Sequence, residues 1–135
     1  MRNTLSVAVV AFFILLSAVQ VYAHHSFAAE YDANKPITLK GTILRFDFVN
    51  PHSWLYINVT DADGKVTKWN IEWGSPNSLI RRGVNKNSVP IGAEVTVIGY
   101  RARDNSSTIN GTSVKLADGR TLFTGSEGSG APNTP

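Results

Sequence analysis

Apolar and polar residues alternate with a period of two along much of the chain, and this pattern predicts β-strands. In the clearest case Leu55, Ile57 and Val59 fall on one face of a stretch, and more polar side chains fall on the other. The first strand-like stretch changes phase near Gly41, which predicts a β-bulge at that glycine. Strand-like patterns occupy residues 37–49, 53–60, 66–73, 94–100, 108–116 and 121–123.

One short helix is predicted between the third and fourth strands. Ser75 suits its N-cap and Pro76 its first turn, while Gly83 suits its C-terminal end. Leu79 and Ile80 are expected to plug one end of the sheet. Three strands, a helix and then two or three strands follow the element order of the oligonucleotide/oligosaccharide-binding (OB) fold. We therefore predict an all-β protein with one short helix, built as a five- to six-stranded OB-like Greek-key barrel; an open sheet or a β-sandwich is the alternative.

The first residues have the features of a secretory signal peptide. Arg2 gives a short positive region, residues 5–19 are strongly apolar, and Ala23 fits the position before a cleavage site. The apolar run of about 15 residues is shorter than the roughly 20 that span a bilayer. We expect cleavage after Ala23 and a periplasmic or secreted protein without a membrane span. Cleavage after Ala18 and an uncleaved anchor are the alternatives.

The end of the chain differs in composition from the strand-like region. From Gly125 onward it is rich in Gly, Ser, Pro and Asn and has no apolar period, which predicts disorder. The predicted organisation is a signal peptide at residues 1–23, an N-terminal arm at 24–36, the barrel domain at 37–125 and a disordered tail at 126–135.

Composition and charge exclude several kinds of site. The 135 residues include no cysteine, so disulfides and thiolate metal sites are excluded. The formal net charge is +3, and the basic residues are scattered apart from the pair Arg81-Arg82. A nucleic-acid surface needs a concentrated basic stripe, and therefore we expect no nucleic-acid partner.

Copper is the most concrete candidate ligand of the predicted mature protein. Cleavage would give His24 a free α-amine, and this amine and the His24 ring could chelate one copper ion. A second imidazole would complete the nitrogen-rich tetragonal geometry that suits Cu(II). His52 is the predicted second imidazole, and His25 is a weaker candidate. Zinc or another metal is an alternative, as are a polar segment without function and a turn-capping role for His52.

Four aromatic residues suggest a second kind of site. OB barrels bind sugars or oligonucleotides on the face of their second and third strands, often by stacking on aromatic rings. A carbohydrate- or envelope-binding module is therefore the alternative function, and packing of the same rings in the core is the simpler interpretation. The four residues are Trp54, Tyr56, Trp69 and Trp73.

No catalytic residue is assigned from the sequence. Glu72 could act as a base or a ligand, and Asp47 is its nearest candidate partner on an adjacent strand. Glycoside hydrolysis would need two carboxylates at a defined separation. The sequence contains no Gly-rich phosphate loop, no Ser-His-Asp order and no His-Glu-x-x-His motif. We therefore expect a non-enzymatic protein that binds a small ligand or a metal ion.

Several short motifs are shared with a known group of proteins. They are His24-His25-Ser26-Phe27, Tyr31-Asp32, Lys35-Pro36, Gly41-Thr42, Asn50-Pro51-His52, Trp69, Gly74-Ser75-Pro76, Leu79, Arg82-Gly83 and Gly99-Tyr100-Arg101-Ala102. With these motifs the chain resembles a family of small exported bacterial proteins of unknown function. The resemblance implies a periplasmic location and an OB-like barrel, and it supplies no activity and no site residues.

Overall fold

The computed structural model describes residues 26–125 and 130–132 of the chain. Within these residues the chain forms two short helices and six strands. The helices are α1 (Phe27–Glu30) and α2 (Pro76–Arg81). The strands are β1 (Tyr31–Asp47), β2 (Trp54–Thr60), β3 (Val66–Glu72), β4 (Glu94–Ala102), β5 (Thr108–Leu116) and β6 (Thr121–Phe123).

The six strands form one sheet that closes on itself. Their order is β3-β2-β1-β4-β5-β6, and an additional pairing of β3 with β5 joins five of them into a ring. Neighbouring strands are antiparallel except β3 and β5, which run parallel with Glu72 beside Asn110. The predicted all-β, barrel-like fold is confirmed, with α2 between the third and fourth strands.

The interior of the ring holds the main hydrophobic core. Leu55 and Ile57 from β2 and Val97 from β4 are fully buried, as their alternation predicts. Leu79 of α2 is also fully buried, so this helix closes one end of the core. Ile80 is 57 % exposed, and the prediction that it plugs the sheet is wrong because α2 presents only one face to the core.

Both ends of α2 have the capping residues that the sequence predicts. The Ser75 hydroxyl accepts a hydrogen bond from the Ser78 amide at 3.3 Å, which satisfies an amide that the first turn leaves unpaired. Gly83 has a φ of +80°, a conformation that favours glycine directly after a helix. The predicted capping of this helix is therefore confirmed.

The bulge in β1 lies later than predicted. The register with β2 shifts between Ile43 and Arg45, not at Gly41. Gly41 has a different role, because a Cβ at that position would lie 2.3 Å from the backbone oxygen of Asn58. The glycine therefore allows β1 and β2 to approach closely, and the phase shift around it comes from the bulge at Leu44.

The described part of the predicted N-terminal arm is largely structured. It forms α1 and the first six residues of β1, of which Tyr31 pairs with Ala102 of β4 and Pro36 pairs with Tyr100, with an irregularity in the register between the two pairs. Phe27 and Tyr31 pack with those two β4 residues into a second hydrophobic cluster outside the ring. Half-buried Ala131 packs against this cluster as well, and the remaining tail residues, 126–129 and 133–135, lie outside the described residues.

Candidate functional site

The loop between β1 and β2 places His52 at the end of β3. The loop contains a cis peptide bond between Asn50 and Pro51. Directly after His52, the Ser53 amide donates to the Gly74 oxygen at 3.1 Å, and the Trp73 amide donates to the Ser53 oxygen at 2.8 Å. These two hydrogen bonds extend the β2–β3 pairing by one residue and hold the backbone next to His52 in place.

Glu72, the last residue of β3, contacts His52. Its neighbours Ile71 and Trp73 point into the core, so the Glu72 side chain lies on the outer face of the ring. The Glu72 side chain is nevertheless only 8 % exposed. One carboxylate oxygen, Oε1, contacts His52 Nδ1, and the other, Oε2, accepts a hydrogen bond from the Tyr31 hydroxyl. Both oxygens of this buried carboxylate are thus engaged, as burial of a charged group requires.

The contact with Glu72 determines which nitrogen of His52 can bind an ion. A carboxylate only accepts hydrogen bonds, so it pairs with the tautomer of His52 that carries its hydrogen on Nδ1. In that tautomer the lone pair is on Nε2. The His52 side chain is 21 % exposed, whereas Glu72 is nearly covered. The arrangement is therefore that of a histidine oriented by a carboxylate behind it.

Tyr31 is the third member of this group. Burial, and then the negative charges of Glu30 and Asp104, raise the pKa of Tyr31 well above its ordinary range. The phenol therefore stays protonated and remains a hydrogen-bond donor to Glu72 near neutral pH. Tyr31 carries no signal in the sequence as a partner of Glu72, because their hydrogen bond joins residues 41 positions apart. Asp47, the predicted partner of Glu72, instead forms an ion pair with Arg45 at 3.0 Å.

The start of the described chain is attached beside Tyr31. The Phe27 ring stacks on the Tyr31 ring with centroids 5.7 Å apart and meets the Tyr100 ring edge-on at 5.4 Å. Phe27 is 4 % exposed. The predicted ligands His24 and His25 lie outside the described residues. In the sequence, only His25 and Ser26 lie between His24 and Phe27.

The four predicted aromatic site residues lie in different environments. Trp73 is fully buried and Trp69 is 9 % exposed, and both belong to the core. Tyr56 is half-buried on the outer face, with the Arg45 guanidinium 4.3 Å and the Lys68 ammonium 4.8 Å from its ring centroid. Trp54 is half-buried and borders a groove. Of these four rings only Trp54 and Tyr56 are partly exposed, and only Trp54 lines the groove.

The groove beside Trp54 is a cavity of about 380 Å³. It lies between α1, the start of β1 and β2, and the loop that joins β4 to β5. It is lined by Ala29, Glu30, Tyr31, Trp54, Ala102, Arg103, Asp104, Ser106 and Thr108.

The described residues contain neither a metal-binding cluster of acidic, histidine or cysteine side chains nor a membrane-spanning helix. No group of three or more His, Cys, Asp or Glu side chains in residues 26–125 and 130–132 could hold a metal ion. In the same part of the chain, neither helix has the length and apolar character needed to cross a membrane.

Comparison with protein families gives one match. The model of a family of unknown function, DUF6152, matches residues 11–112. The chain belongs to this family. The DUF6152 match includes His52, Trp54 and Glu72, and it ends within β5. The expectation of a family of unknown function is thereby confirmed. No match was found among curated proteins or among solved structures.

Proposed function

We propose that this DUF6152 protein is exported, begins at His24 after cleavage and binds one Cu(II) ion. The ligands are the His24 α-amine, the His24 ring and Nε2 of His52. The observation that carries this proposal is the contact of His52 Nδ1 with the buried Glu72 carboxylate. Metal-binding histidines commonly donate their other ring N–H to a carboxylate, which fixes the tautomer and increases the basicity of the ligating nitrogen.

Anchoring of the N-terminal segment supports the same proposal. Phe27 is buried against Tyr31, and Tyr31 shares the Glu72 carboxylate with His52. The anchor is therefore linked to His52 through Tyr31 and Glu72, and only two residues, His25 and Ser26, separate His24 from Phe27. A short tether of this kind raises the effective concentration of the terminal amine near the second imidazole.

Copper is the metal that this donor set favours. Two imidazole nitrogens and one amine nitrogen suit the tetragonal geometry of Cu(II), and Cu(II) lies at the top of the affinity order for divalent first-row metals. The amine must lose its proton to coordinate, and its ordinary pKa of about 8 makes that loss accessible at neutral pH. Bound copper would supply a redox-active or Lewis-acidic centre, and Glu72 and Tyr31 keep the His52 ring oriented towards it.

The experiment measures Cu(II) affinity of the processed protein by competition with a chelator of known affinity. Intact mass first establishes that the exported protein begins at His24. We expect His52→Ala to lower the affinity by at least about tenfold, through loss of one nitrogen ligand.

His25→Ala is the matched control, since it removes a neighbouring imidazole and keeps the proposed ligands. It should bind Cu(II) with nearly the affinity of the unmodified protein. A mature protein that starts at another residue contradicts the proposal. Undiminished binding by His52→Ala also contradicts it, even if an amine–imidazole site at His24 remains.

A further inference from the structure

The groove beside Trp54 lies where ligands approach barrels of this type. Its walls come from α1, from Tyr31 and Trp54 at the starts of β1 and β2, and from the β4–β5 loop. OB-type barrels bind oligosaccharides and oligonucleotides with the face of β2 and β3 and with the β1–β2 and β4–β5 loops. Its volume of about 380 Å³ falls in the usual range of small-molecule sites.

Trp54 gives the groove an aromatic surface. The residue lies on the outer face of β2, opposite the core residue Leu55, and it is half-buried. Its cross-strand neighbours are Asp47 and Glu72, so the backbone of the ring-bearing residue is held on both sides. A large, fixed and partly exposed ring offers apolar area at low entropic cost, and it can stack against the C–H face of a pyranose.

The β4–β5 loop provides polar groups in a fixed arrangement. The Arg103 Nε donates to the Ala28 oxygen at 2.8 Å, which ties the loop to α1. The Ser106 amide donates to Asp104 Oδ1 at 2.9 Å, and hydrogen bonds from Ser106 lower the pKa of the Asp104 carboxyl. Asp104 is therefore an ionised acceptor held in a defined position.

The charges around the groove are mixed. Its lining carries the carboxylates of Glu30 and Asp104 and the guanidinium of Arg103, and the charge of Arg101 lies close enough to lower the pKa of the Asp104 carboxyl. The lining therefore offers no concentrated positive patch of the kind that binds a phosphate backbone. The acceptors, the guanidinium donor and the hydroxyls of Ser106 and Thr108 together match the mixed donors and acceptors of sugar hydroxyls.

We infer that this groove binds a neutral mono- or disaccharide. Trp54 stacks on one sugar ring, and Asp104 and Arg103 form hydrogen bonds with its hydroxyls. The site shares a wall, Tyr31, with the proposed copper site, but none of the residues that hold the sugar is a proposed copper ligand. Saccharide binding therefore needs no metal and stands or fails separately from the copper proposal.

The test is a titration of the metal-free, processed protein with maltose, cellobiose and diacetylchitobiose, followed by amide and indole chemical shifts. We expect at least one of these sugars to shift the Trp54 indole signal and the amides of residues 103–108. Trp54→Ala should weaken that binding by about tenfold or more. Asp104→Asn should weaken it as well, and this exposed loop substitution leaves the core intact.

Tyr56→Ala is the control, because Tyr56 lies on the same strand and outside the groove lining. It should bind the sugar as the unmodified protein does. The inference is overturned if none of the three sugars shifts the groove signals, or if both Trp54→Ala and Asp104→Asn bind with unchanged affinity. Tighter binding of oligothymidylate at the same residues also overturns it, because the charge argument then fails.

Discussion

Glu72 is the residue that orients the proposed copper ligand His52. A carboxylate at this position would be solvated on an ordinary outer strand face, but here the side chain contacts Tyr31 and His52 and is only 8 % exposed. One oxygen of the Glu72 carboxylate contacts His52 and the other contacts Tyr31, and these two contacts fix the orientation of the carboxylate. Glu72 therefore acts by orienting the His52 ring and does not itself bind the proposed metal ion.

Glu72→Gln should weaken Cu(II) binding by about tenfold or more, the usual effect of changing the partner of a metal-binding histidine. Gln has nearly the same shape as Glu but no charge. The negative charge of Glu72 favours hydrogen on Nδ1 of His52 and makes Nε2 more basic, and both effects are lost in the variant. Competition titration against a chelator measures the effect. Glu94→Gln, at an exposed carboxylate paired with Lys40, is the matched control. Equal affinities of the two variants would contradict the role of Glu72.

Tyr31→Phe should destabilise the fold by about 1–3 kcal/mol near neutral pH, because it leaves a buried carboxylate oxygen without its donor. The pKa of Tyr31 is raised in the folded state, so the protonated phenol stabilises the fold fully below its unfolded pKa of about 10. That contribution is lost as the pH rises above this value. Denaturant unfolding at several pH values should show the gap between the two proteins narrowing in alkaline solution. A constant gap over the same range argues against the buried phenol–carboxylate contact.

At the scale of elements, the ring closes because β4 and β5 approach each other closely at Gly99. At the β4–β5 crossing the register shifts between Ile98 and Gly99. A Cβ on Gly99 would lie 2.1 Å from the backbone oxygen of Asn110, which itself pairs with Glu72 across the β3–β5 seam. The absence of a side chain at Gly99 is therefore a requirement for closing the ring next to the candidate site.

Gly99→Ala should lower the free energy of unfolding by about 1–3 kcal/mol or more, the range expected for forcing atoms into a well-packed position. Gly125→Ala is the matched control, since a Cβ there would meet its nearest neighbour at 3.9 Å. Denaturant unfolding of both variants compares them directly. Similar stabilities would show that β4 and β5 can separate at this point without cost.

Sequence patterns predicted the elements that depend on local rules and missed those that depend on distant contacts. The alternation of apolar and polar residues predicts β2 and β3, and the capping residues Ser75 and Gly83 predict α2. The first six residues of β1 gave no periodic signal, because only Tyr31 among them is buried and its partners Tyr100 and Ala102 are distant in sequence. A glycine inside a strand favours either a β-bulge or close approach of a neighbouring strand. The bulge was predicted at Gly41, but Gly41 instead allows β1 and β2 to approach closely.

At the scale of the whole molecule, the second hydrophobic cluster fixes the N-terminal segment to the barrel. Phe27, Tyr31, Tyr100 and Ala102 form it, and Ala131 near the C terminus packs on it. The copper proposal needs this attachment, since His24 can reach His52 only if the chain that follows it is held nearby. His52 and Glu72 were recognised as candidates in the sequence, but their contact and the part of Tyr31 in it arise only from the folded ring.

Phe27→Ala should weaken Cu(II) binding by more than about tenfold while the barrel still unfolds cooperatively. The substitution removes a ring that contacts both Tyr31 and Tyr100 and leaves the main core untouched, so α1 detaches before the barrel does. Copper titration and thermal unfolding together separate the two effects. Phe123→Ala, at a ring that is 58 % exposed on β6, is the control. Unchanged copper affinity in Phe27→Ala would argue against anchoring by this cluster.

Electron paramagnetic resonance of the processed protein loaded with one equivalent of Cu(II) tests the central claim most directly. The predicted spectrum is that of a tetragonal Cu(II) centre with nitrogen hyperfine coupling from the amine and two imidazoles. His52→Ala should remove the coupling of one imidazole and leave that of the His24 chelate. A spectrum of the unmodified protein that is identical to that of His52→Ala would contradict the claim that the chain terminus and the β1–β2 loop hold a single copper ion.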